Sequence, residues 1–386
     1  MDTKKYKKYL ESISILLLGI ITSFSLPPYN YWFINFFTFS LLFTILIKNK
    51  KESLNFFALN GYLFGFGFFL SNMYWIPLSL LYDDNYSFLI PVAIFLIPAF
   101  LSLFYMLGFL LFKIFLHKNS VFINILIFSV ILGLLEFIRG SVLSGFPWNL
   151  FAYSFSENIS FIQITSLIGV YAFNTFLITI FCAPSILLFK RKKIDLLGFY
   201  FILTITLSIY LYGSYKVNIF KNLKSENLPT KINVLSTNIS IERFYSQLDS
   251  EEILLKLINL SNPDQNDFSI YIWPEGVIPN TNLKSLKNEY EYLFKKSFSE
   301  KNTIILGVND NETKNGKTFF YNSLSIIDNE VNTIYKYRKN KLVPFGEFIP
   351  LENFISKIGL KSLTNNYQST AQVMKENYSI LIKKVK

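Results

Sequence analysis

Residues 88–112 read FLIPVAIFLIPAFLSLFYMLGFLLF, a run that contains no charged side chain. A helix of this length, at 1.5 Å per residue, is about 37 Å long. The hydrocarbon core of a bilayer is about 30 Å thick, so the run predicts a membrane-spanning helix. Pro91 and Pro98 lack a backbone N–H and are expected to kink it. This segment decides the fold class, because similar apolar runs recur through the N-terminal half of the chain.

The whole chain is too apolar for a soluble protein of 386 residues, with 51% hydrophobic residues and a mean hydropathy of +0.35. The apolar runs lie in the first half, whereas the second half is rich in Lys, Asn, Glu and Ser. We therefore predict a membrane domain at residues 1–212, a linker at 213–230 and a soluble domain at 231–386. The seven predicted spans lie at about residues 10–26, 31–47, 56–81, 88–112, 121–138, 161–189 and 194–212.

The charges between the spans predict the orientation of the chain. Four groups of basic residues precede the first span or separate spans two and three, four and five, and six and seven. They comprise Lys4, Lys5, Lys7, Lys8, Lys48, Lys50, Lys51, Lys113, Lys118, Lys190, Arg191, Lys192 and Lys193. The alternate loops hold almost no Lys or Arg, so the positive-inside rule places the N-terminus in the cytoplasm. Seven crossings then place residue 213 and the soluble domain outside, which is the periplasm in a bacterium with two membranes.

The net charge of +11 does not indicate a nucleic-acid-binding protein. Much of the basic charge lies in short loops beside apolar spans, and no basic-aromatic reader motif accompanies it. The single cysteine, Cys182, lies in an apolar run, and one cysteine cannot form an intramolecular disulfide. With one histidine, His117, in a short loop, we expect neither a zinc site nor another metal or cofactor.

Glu136 and Arg139, at the end of span five, are difficult to explain by helix packing alone. Ionisable groups inside a membrane are costly, and they usually pair or mark a functional site. Two alternatives stay open: an i, i+3 ion pair at the membrane interface, and a contact with a lipid headgroup. Phe146 and Trp148 follow in a short amphiphilic loop.

From residue 231 onward, short β-rich runs alternate with polar turns and helical stretches. This mixture predicts a layered α/β or α+β domain. The predicted strands lie at residues 232–236, 268–273, 303–308, 319–328 and 332–337, and the predicted helices at residues 250–260 and 283–299.

Two segments of the soluble half carry candidate chemistry. IWPEG (272–276) places the carboxylate of Glu275 at the end of an apolar strand, where a partly desolvated general base could act. YRKNKLVPFGE (337–347) places Lys339 and Glu347 around an apolar stretch, and a lysine beside a developing oxyanion is an electrostatic catalyst. Taken separately, each segment also suits an ordinary structure, a Pro-Glu-Gly turn or a solvated basic loop.

Taken together and in this order, the motifs of both halves resemble the apolipoprotein N-acyltransferases, a membrane-anchored branch of the nitrilase superfamily. The resemblance is carried by GFGFFL and YWI within residues 65–76, EFIRG and GFPWN within 136–149, Gln163 with GVY at 169–171, WPE at 273–275, and residues 337–347. It implies a multi-pass α-helical membrane domain, followed by an α/β soluble domain of the α-β-β-α nitrilase-like class. It also implies a place in the bacterial inner membrane.

The resemblance implies transfer of a fatty acyl chain from a phospholipid to the α-amine of a diacylglyceryl-cysteine in a lipoprotein, through a cysteine thioester. Glu275 would be the general base, Lys339 would stabilise the tetrahedral oxyanion, and Glu347 would support the site. Tyr245, beside Phe244, stands near the position of a loop tryptophan of the family. The candidate substrate contacts are Glu136, Arg139, Phe146, Trp148 and Tyr245. The implied partners are the phospholipid donor, the diacylated lipoprotein acceptor and membrane lipid.

The sequence departs from the pattern of the family at the nucleophile. The expected Cys-Tyr-Glu follows an apolar strand that corresponds here to residues 378–382, and Lys383 occupies the position of the cysteine. An acyl-lysine amide would be too stable to turn over. We therefore expect a C-terminally incomplete soluble domain and no acyltransferase activity from this polypeptide alone. The alternative function is a non-catalytic membrane protein that binds lipid or lipoprotein; a membrane-tethered amidase and a transporter suit the two halves less well.

Overall fold

The computed structural model of the chain describes residues 3–82, 87–142, 145–189, 192–223, 230–239, 250–278, 281–314 and 317–343. The chain divides into two compact units, Met1–Lys224 and Ser225–Lys386, and each has its own hydrophobic core. The N-terminal unit is helical, whereas the C-terminal unit combines a mixed sheet with helices. This arrangement confirms the predicted fold class, a helical membrane domain followed by a layered soluble domain.

The helices of the N-terminal unit follow the apolar runs of the sequence. The long helices are α1 (Thr3–Ser23), α2 (Ile34–Lys48), α3 (Leu54–Met73), α4 (Ile90–Phe115), α5 (Val121–Arg139), α7 (Thr165–Cys182) and α8 (Lys193–Asn222), and α6 (Ile159–Ile162) is a single turn. Ser53 and Ser120 cap α3 and α5, because each side chain accepts the backbone N–H three residues further on. Pro91 lies in the first turn of α4 and Pro98 in its interior.

Five helical segments of the described chain are long and apolar enough to cross a membrane. They are Leu54–Met73, Ser87–Phe115, Val121–Arg139, Thr165–Leu188 and Lys193–Asn222. The first two predicted spans are helical but fall outside this group. α2 has 15 residues, a length of about 22 Å, and α1 begins with a lysine-rich segment.

Three predicted spans differ clearly from the observed helices at their ends or in their interior. The predicted span at residues 56–81 is α-helical only as far as Met73, and Ile76–Tyr82 is a 3₁₀ helix. α8 continues to Asn222, past the predicted end at residue 212, because hydropathy falls there while the polar sequence still suits a helix. The predicted span at residues 161–189 is interrupted. α6 ends at Ile162, Gly169 in α7 adopts a φ of +76°, and the segment Ala183–Leu188 is a 3₁₀ helix.

Aromatic side chains fill the interior of the helical unit. Fully buried examples are Phe39, Phe64, Phe68, Phe109 and Phe128. Gly61 allows α3 to approach α4 closely, since a Cβ at this position would lie 2.5 Å from the carbonyl oxygen of Tyr105. The outer surfaces of α4 and α8 are also apolar, with more than half of the surface of Phe95, Leu96, Leu197 and Phe201 exposed. Helices that are apolar on all sides are expected where lipid surrounds the protein.

The described part of the C-terminal unit contains one five-stranded sheet. Its strands are β1 (Lys231–Val234), β2 (Ser269–Ile272), β3 (Asn302–Lys314), β4 (Lys317–Ile327) and β5 (Thr333–Arg338), in the spatial order β1-β2-β3-β4-β5. The first three strands are parallel, and β3, β4 and β5 are antiparallel. α9 (Ser250–Ser261) and α10 (Leu283–Ser297) connect the parallel strands, which need crossover connections. Every predicted strand and helix of this half coincides with one of these elements.

One face of the sheet forms the core of the C-terminal unit with α9 and α10. Tyr271, Ile304 and Leu306 of the sheet cluster with Leu254 and Leu286 of the helices, and all five are fully buried. Side chains alternate between the two faces of a strand, so their sequence neighbours lie on the opposite face. The described residues thus contain one of the two sheets that the resemblance implies.

A network of charges connects β5 to β3 across β4. Arg338 donates through Nε and Nη2 to Oδ2 of Asp310, at 2.9 and 2.7 Å, and through Nη1 to Oε2 of Glu312, at 2.8 Å. Lys336 Nζ lies 2.8 Å from the same Asp310 oxygen, and the guanidinium lies 3.9 Å from the ring centre of Tyr321. Burial alone would raise the pKa of Asp310, but the hydrogen bonds from Lys336 and Arg338 outweigh burial and hold this pKa below its ordinary value.

We expect Asp310→Asn to lower the free energy of opening of β5 by about 2 kcal/mol at pH 7, because two cations lose their charged acceptor. The pKa of Asp310 is lowered in the folded chain, so its contribution is fully present above the ordinary value of 3.8 and is lost as the pH falls through the lowered pKa. The difference between wild type and variant should therefore shrink below about pH 4. Hydrogen–deuterium exchange of the β5 amides, in the full chain in detergent micelles, measures it.

Glu291→Gln is the control for this experiment. It removes an i, i+4 ion pair with Lys295 on α10, and exposed pairs of this kind contribute little. We expect it to leave exchange in β5 unchanged. An equal effect of the two substitutions would contradict a specific role of the Asp310 network.

Candidate functional site

Glu275 lies directly beyond β2, at the carboxyl end of the strand. Trp273 extends the ladder, since its backbone N–H donates to the carbonyl of Ile305 at 2.8 Å. The Trp273 side chain is buried, and its Nε1 donates to Ser261 Oγ at 2.9 Å. The Trp-Pro-Glu motif therefore anchors an indole in the core and leaves the following carboxylate at the surface. The Glu275 side chain is 65% exposed.

Two glycines accommodate the backbone around Glu275. Gly276 has a φ of +58°, in the left-handed region that glycine adopts at little cost. Gly307 on β3 lies against the turn, and a Cβ there would stand 2.6 Å from the Cα of Glu275. A side chain at position 307 would therefore displace the candidate base from the sheet.

Lys339 reaches Glu275 from the edge of the sheet that β5 forms. It follows β5 directly, and its backbone N–H donates to the carbonyl of Asn322 on β4 at 2.8 Å. Its Nζ lies 3.4 Å from Oε1 of Glu275, although 64 positions separate the two residues in the sequence. β3 and β4 lie between β2 and β5, so the two side chains must extend towards each other across these strands. The predicted base and the predicted oxyanion-stabilising group thus meet in one place.

Asn322 is a third member of this site, and the sequence does not predict it. Its Nδ2 donates to Oε1 of Glu275 at 2.7 Å. The signal in the sequence is weak, since one polar residue at an alternating position of FFYNSLSII is typical of any half-exposed strand. Only the pairing of the strands shows that the side chain of Asn322 on β4 faces Glu275.

Three other candidates of the soluble half, Tyr245, Glu347 and Lys383, lie outside the described residues. Cys182 lies at the last position of α7 and is fully buried in the core of the helical unit. Its thiol is enclosed by apolar side chains, so the geometry offers no support for Cys182 as a nucleophile.

Glu136 and Arg139 form a buried ion pair in the helical unit, and their side chains are 3% and 1% exposed. Arg139 donates through Nε and Nη2 to Oε2 of Glu136. The Tyr105 hydroxyl donates to the other Glu136 oxygen at 2.5 Å, and Arg139 Nη1 donates to the carbonyl of Phe146 at 2.7 Å. Both charged groups therefore have partners within the protein, as the ion-pair alternative predicts. A contact of this pair with a lipid headgroup stays a prediction.

Phe146 and Trp148 lie beside this pair, in the segment that follows α5. The backbone N–H of Phe146 donates to the carbonyl of Arg139 at 2.8 Å. Trp148 stacks on Trp75, with ring centres 5.8 Å apart and ring planes at 18°, and each indole is 49% exposed. An exposed indole can contact lipid directly, whereas Arg139 can do so only if its ion pair breaks.

The sequence of the chain is similar to the sequences of known proteins. A sequence model of the family described as "Apolipoprotein N-acyltransferase N-terminal domain" matches residues 18–183. The apolipoprotein N-acyltransferase of Rickettsia prowazekii is 31% identical over 361 residues, which cover 90% of this chain and 68% of the relative. The enzyme of the same name from Rhodopseudomonas palustris is 28% identical over 377 residues, covering 92% and 68%, and that from Bradyrhizobium diazoefficiens is 27% identical over 363 residues, covering 90% and 66%.

We expect Glu136→Gln to destabilise the helical unit by about 3–5 kcal/mol, because Arg139 would stay buried without a counter-charge. Tyr105→Phe should have a smaller effect, about 1.5–3 kcal/mol, since it removes one hydrogen bond and leaves both charges. The double variant Glu136→Leu, Arg139→Met should be more stable than Glu136→Gln alone, because neither charge remains. Unfolding of the full chain in detergent micelles measures all three.

Leu134→Ala on the same helix is the control for these variants. Leu134 is 56% exposed, so its truncation creates no cavity, and we expect only a small change in stability. A double variant less stable than Glu136→Gln would contradict the view that an unpaired buried charge causes the loss.

Proposed function

The chain belongs to the apolipoprotein N-acyltransferase family, and from this we propose that its C-terminal unit supplies the base and the oxyanion-stabilising group for acyl transfer between lipids. The acyl donor is a phospholipid. The acceptor is the α-amine of a diacylglyceryl-cysteine at the N-terminus of a lipoprotein. Metal ions and organic cofactors take no part in the proposed reaction.

The transfer consists of two displacement steps at one carbonyl carbon. A thiol, which loses its proton as it attacks the phospholipid ester, expels the lipid alcohol and leaves the acyl chain as a thioester. The lipoprotein amine then attacks the thioester and expels the thiol. In each step Glu275 accepts the proton of the attacking group and returns it to the leaving group. Lys339 stabilises the negative oxygen of each tetrahedral intermediate, and Glu347 supports the pair.

The observation that carries this proposal is the 3.4 Å distance between Oε1 of Glu275 and Nζ of Lys339. A general base must be within reach of the proton it accepts, and the 65% exposure of the Glu275 side chain meets this condition. An ammonium group beside it can stabilise an oxyanion that forms at the same place. The two groups therefore supply complementary parts of one reaction.

The helical unit contributes contacts with the lipid substrates in this proposal. Trp148 and Phe146 are the direct contacts of this unit. Tyr245 is a separate candidate contact of the soluble unit. Glu136 and Arg139 contribute to substrate binding indirectly. They hold the segment after α5 in place, since Arg139 donates to the Phe146 carbonyl. The exposed indole of Trp148 supports this assignment.

The thiol of the first step is the component for which the sequence offers no accessible candidate. Cys182 is its one cysteine, and it is buried in the helical unit. This observation favours a second candidate function, in which the same scaffold binds lipid or lipoprotein without transferring an acyl chain. The two functions differ in one respect: only the first accelerates aminolysis of a thioester that is added from outside.

We propose that the chain lies in the bacterial inner membrane with its N-terminus in the cytoplasm and its C-terminal unit in the periplasm. The lysine-rich segments at the start of α1, at the end of α2 and around the end of α4 support this orientation. Five crossings by the helices that meet the length criterion and seven by all predicted spans are both odd numbers. Either number supports a C-terminal unit on the side of the membrane opposite the N-terminus.

The second step of the proposed reaction can be tested separately if a thioester is added from outside. The full chain in detergent micelles is mixed with a synthetic diacylglyceryl-cysteine peptide and the palmitoyl thioester of N-acetylcysteamine, and mass spectrometry follows formation of the triacylated peptide. We expect wild type to accelerate this second step. Glu275→Gln and Lys339→Met should each reduce its rate by about 100-fold, because one removes the base and the other the oxyanion partner.

The controls replace exposed residues of the same types on the helices of the soluble unit, Glu289→Gln and Lys256→Met, and should leave the rate unchanged. With a phospholipid donor in place of the thioester, we expect no transfer by this polypeptide alone. A reporter lipoprotein should likewise stay diacylated in a strain depleted of its own N-acyltransferase. Transfer from phospholipid would contradict the missing-thiol proposal, and peptide binding without thioester aminolysis would favour the non-catalytic function.

A further inference from the structure

The two carboxylate oxygens of Glu275 have different surroundings. Oε1 accepts hydrogen bonds from Asn322 Nδ2 at 2.7 Å and from Lys339 Nζ at 3.4 Å. Within the described part of the chain, no residue donates to Oε2. A free carboxylate exposes two equivalent oxygens, because its terminal torsion has two-fold symmetry. In this site the two donors make the oxygens of Glu275 inequivalent, because both donors bind Oε1.

Asn322 contributes to both members of the candidate pair. Its side chain donates to Glu275, and its backbone carbonyl accepts the N–H of Lys339 at 2.8 Å. The position of Asn322 is itself fixed by the ladder, where it pairs with Asn309 of β3 in the centre of an 11-pair register. One residue of a regular strand therefore sets the orientation of the carboxylate and the approach of the ammonium group.

The chemistry of the amide explains why asparagine suits this position. Its N–H group donates to a carboxylate without adding a charge or a second base. An aspartate of the same shape would place an acceptor against an acceptor, and a leucine would offer no polar group. Neither change affects the backbone carbonyl that Lys339 uses.

We propose that Asn322 is a positioning residue that holds Oε1 of Glu275, so that Oε2 accepts the proton of the attacking amine. This inference rests on the proposed function of Glu275 as the base. In the thioester step, the amine nitrogen forms a bond to the acyl carbonyl carbon and its proton moves to Oε2. The carbon–sulfur bond then breaks, and the proton passes from Oε2 to the leaving thiolate. Oε1 stays bonded to Asn322 throughout.

The test combines a spectroscopic and a kinetic measurement on the full chain in micelles. Infrared spectra of chain labelled with ¹³C at glutamate carboxyls, minus the spectrum of Glu275→Gln, isolate the carboxylate stretch of Glu275. We expect this band to move in Asn322→Leu and Asn322→Asp, because Oε1 loses its amide donor. In the thioester assay, both variants should lower kcat by about 10- to 100-fold, the effect of a hydrogen bond to a charged group. KM for the peptide should stay unchanged.

Asn309→Leu is the matched control, since Asn309 is exposed and pairs directly with Asn322 in the sheet. It should move neither the band nor kcat. An unmoved band in the Asn322 variants, or a preserved kcat, would overturn the assignment. A rise in KM with constant kcat would also overturn it, because it would indicate a role in binding. A band that moves in a chain whose wild type shows no catalysis would instead count against the proposed function.

Discussion

A carboxylate and an ammonium group attract each other strongly only if the backbone holds them within a few ångströms, because water screens exposed charges. In this chain the β3–β4 hairpin provides that constraint. It separates the end of β2 from the end of β5 by two strands, and the side chains of Glu275 and Lys339 cross this distance from opposite sides. The long ladder between Ile304 and Lys314 on one strand and Lys317 and Ile327 on the other makes the spacing rigid.

The helical unit solves a different electrostatic problem. Glu136 and Arg139 lie among apolar helices, where an unpaired charge would be very unfavourable. The Tyr105 hydroxyl and the Phe146 carbonyl form further hydrogen bonds with the pair. The pair thereby fixes the start of the segment that presents Trp148 at the surface. The charges in this unit hold the segment that carries Trp148, whereas the charges of Glu275 and Lys339 form the proposed catalytic pair.

The sequence predicted the elements well where hydropathy and hydrogen bonding agree. The sequence predicts all five strands, but it predicts that β3 ends at residue 308. The strand extends to Lys314, because the polar NDNETK segment pairs with β4. α8 likewise continues beyond the apolar run that identified it. The sequence motifs predict Glu275 and Lys339 as site residues, and the structure brings their side chains within 3.4 Å of each other. Asn322 could not be predicted, since its partner is 47 positions away in sequence and appears only when the strands are paired.

Arg338 and Lys339 are consecutive cations whose side chains leave the chain in opposite directions. The first binds Asp310 and Glu312, and the second binds Glu275. A slip of β5 by a single residue would exchange the two, and each cation would still face a carboxylate, so attraction between opposite charges does not by itself select the correct alignment. Shape does: the planar fork of a guanidinium fits two acidic partners and an aromatic ring, whereas an ammonium group is a compact point charge. An arginine at position 338 followed by a lysine at position 339 therefore favours the observed register of β5.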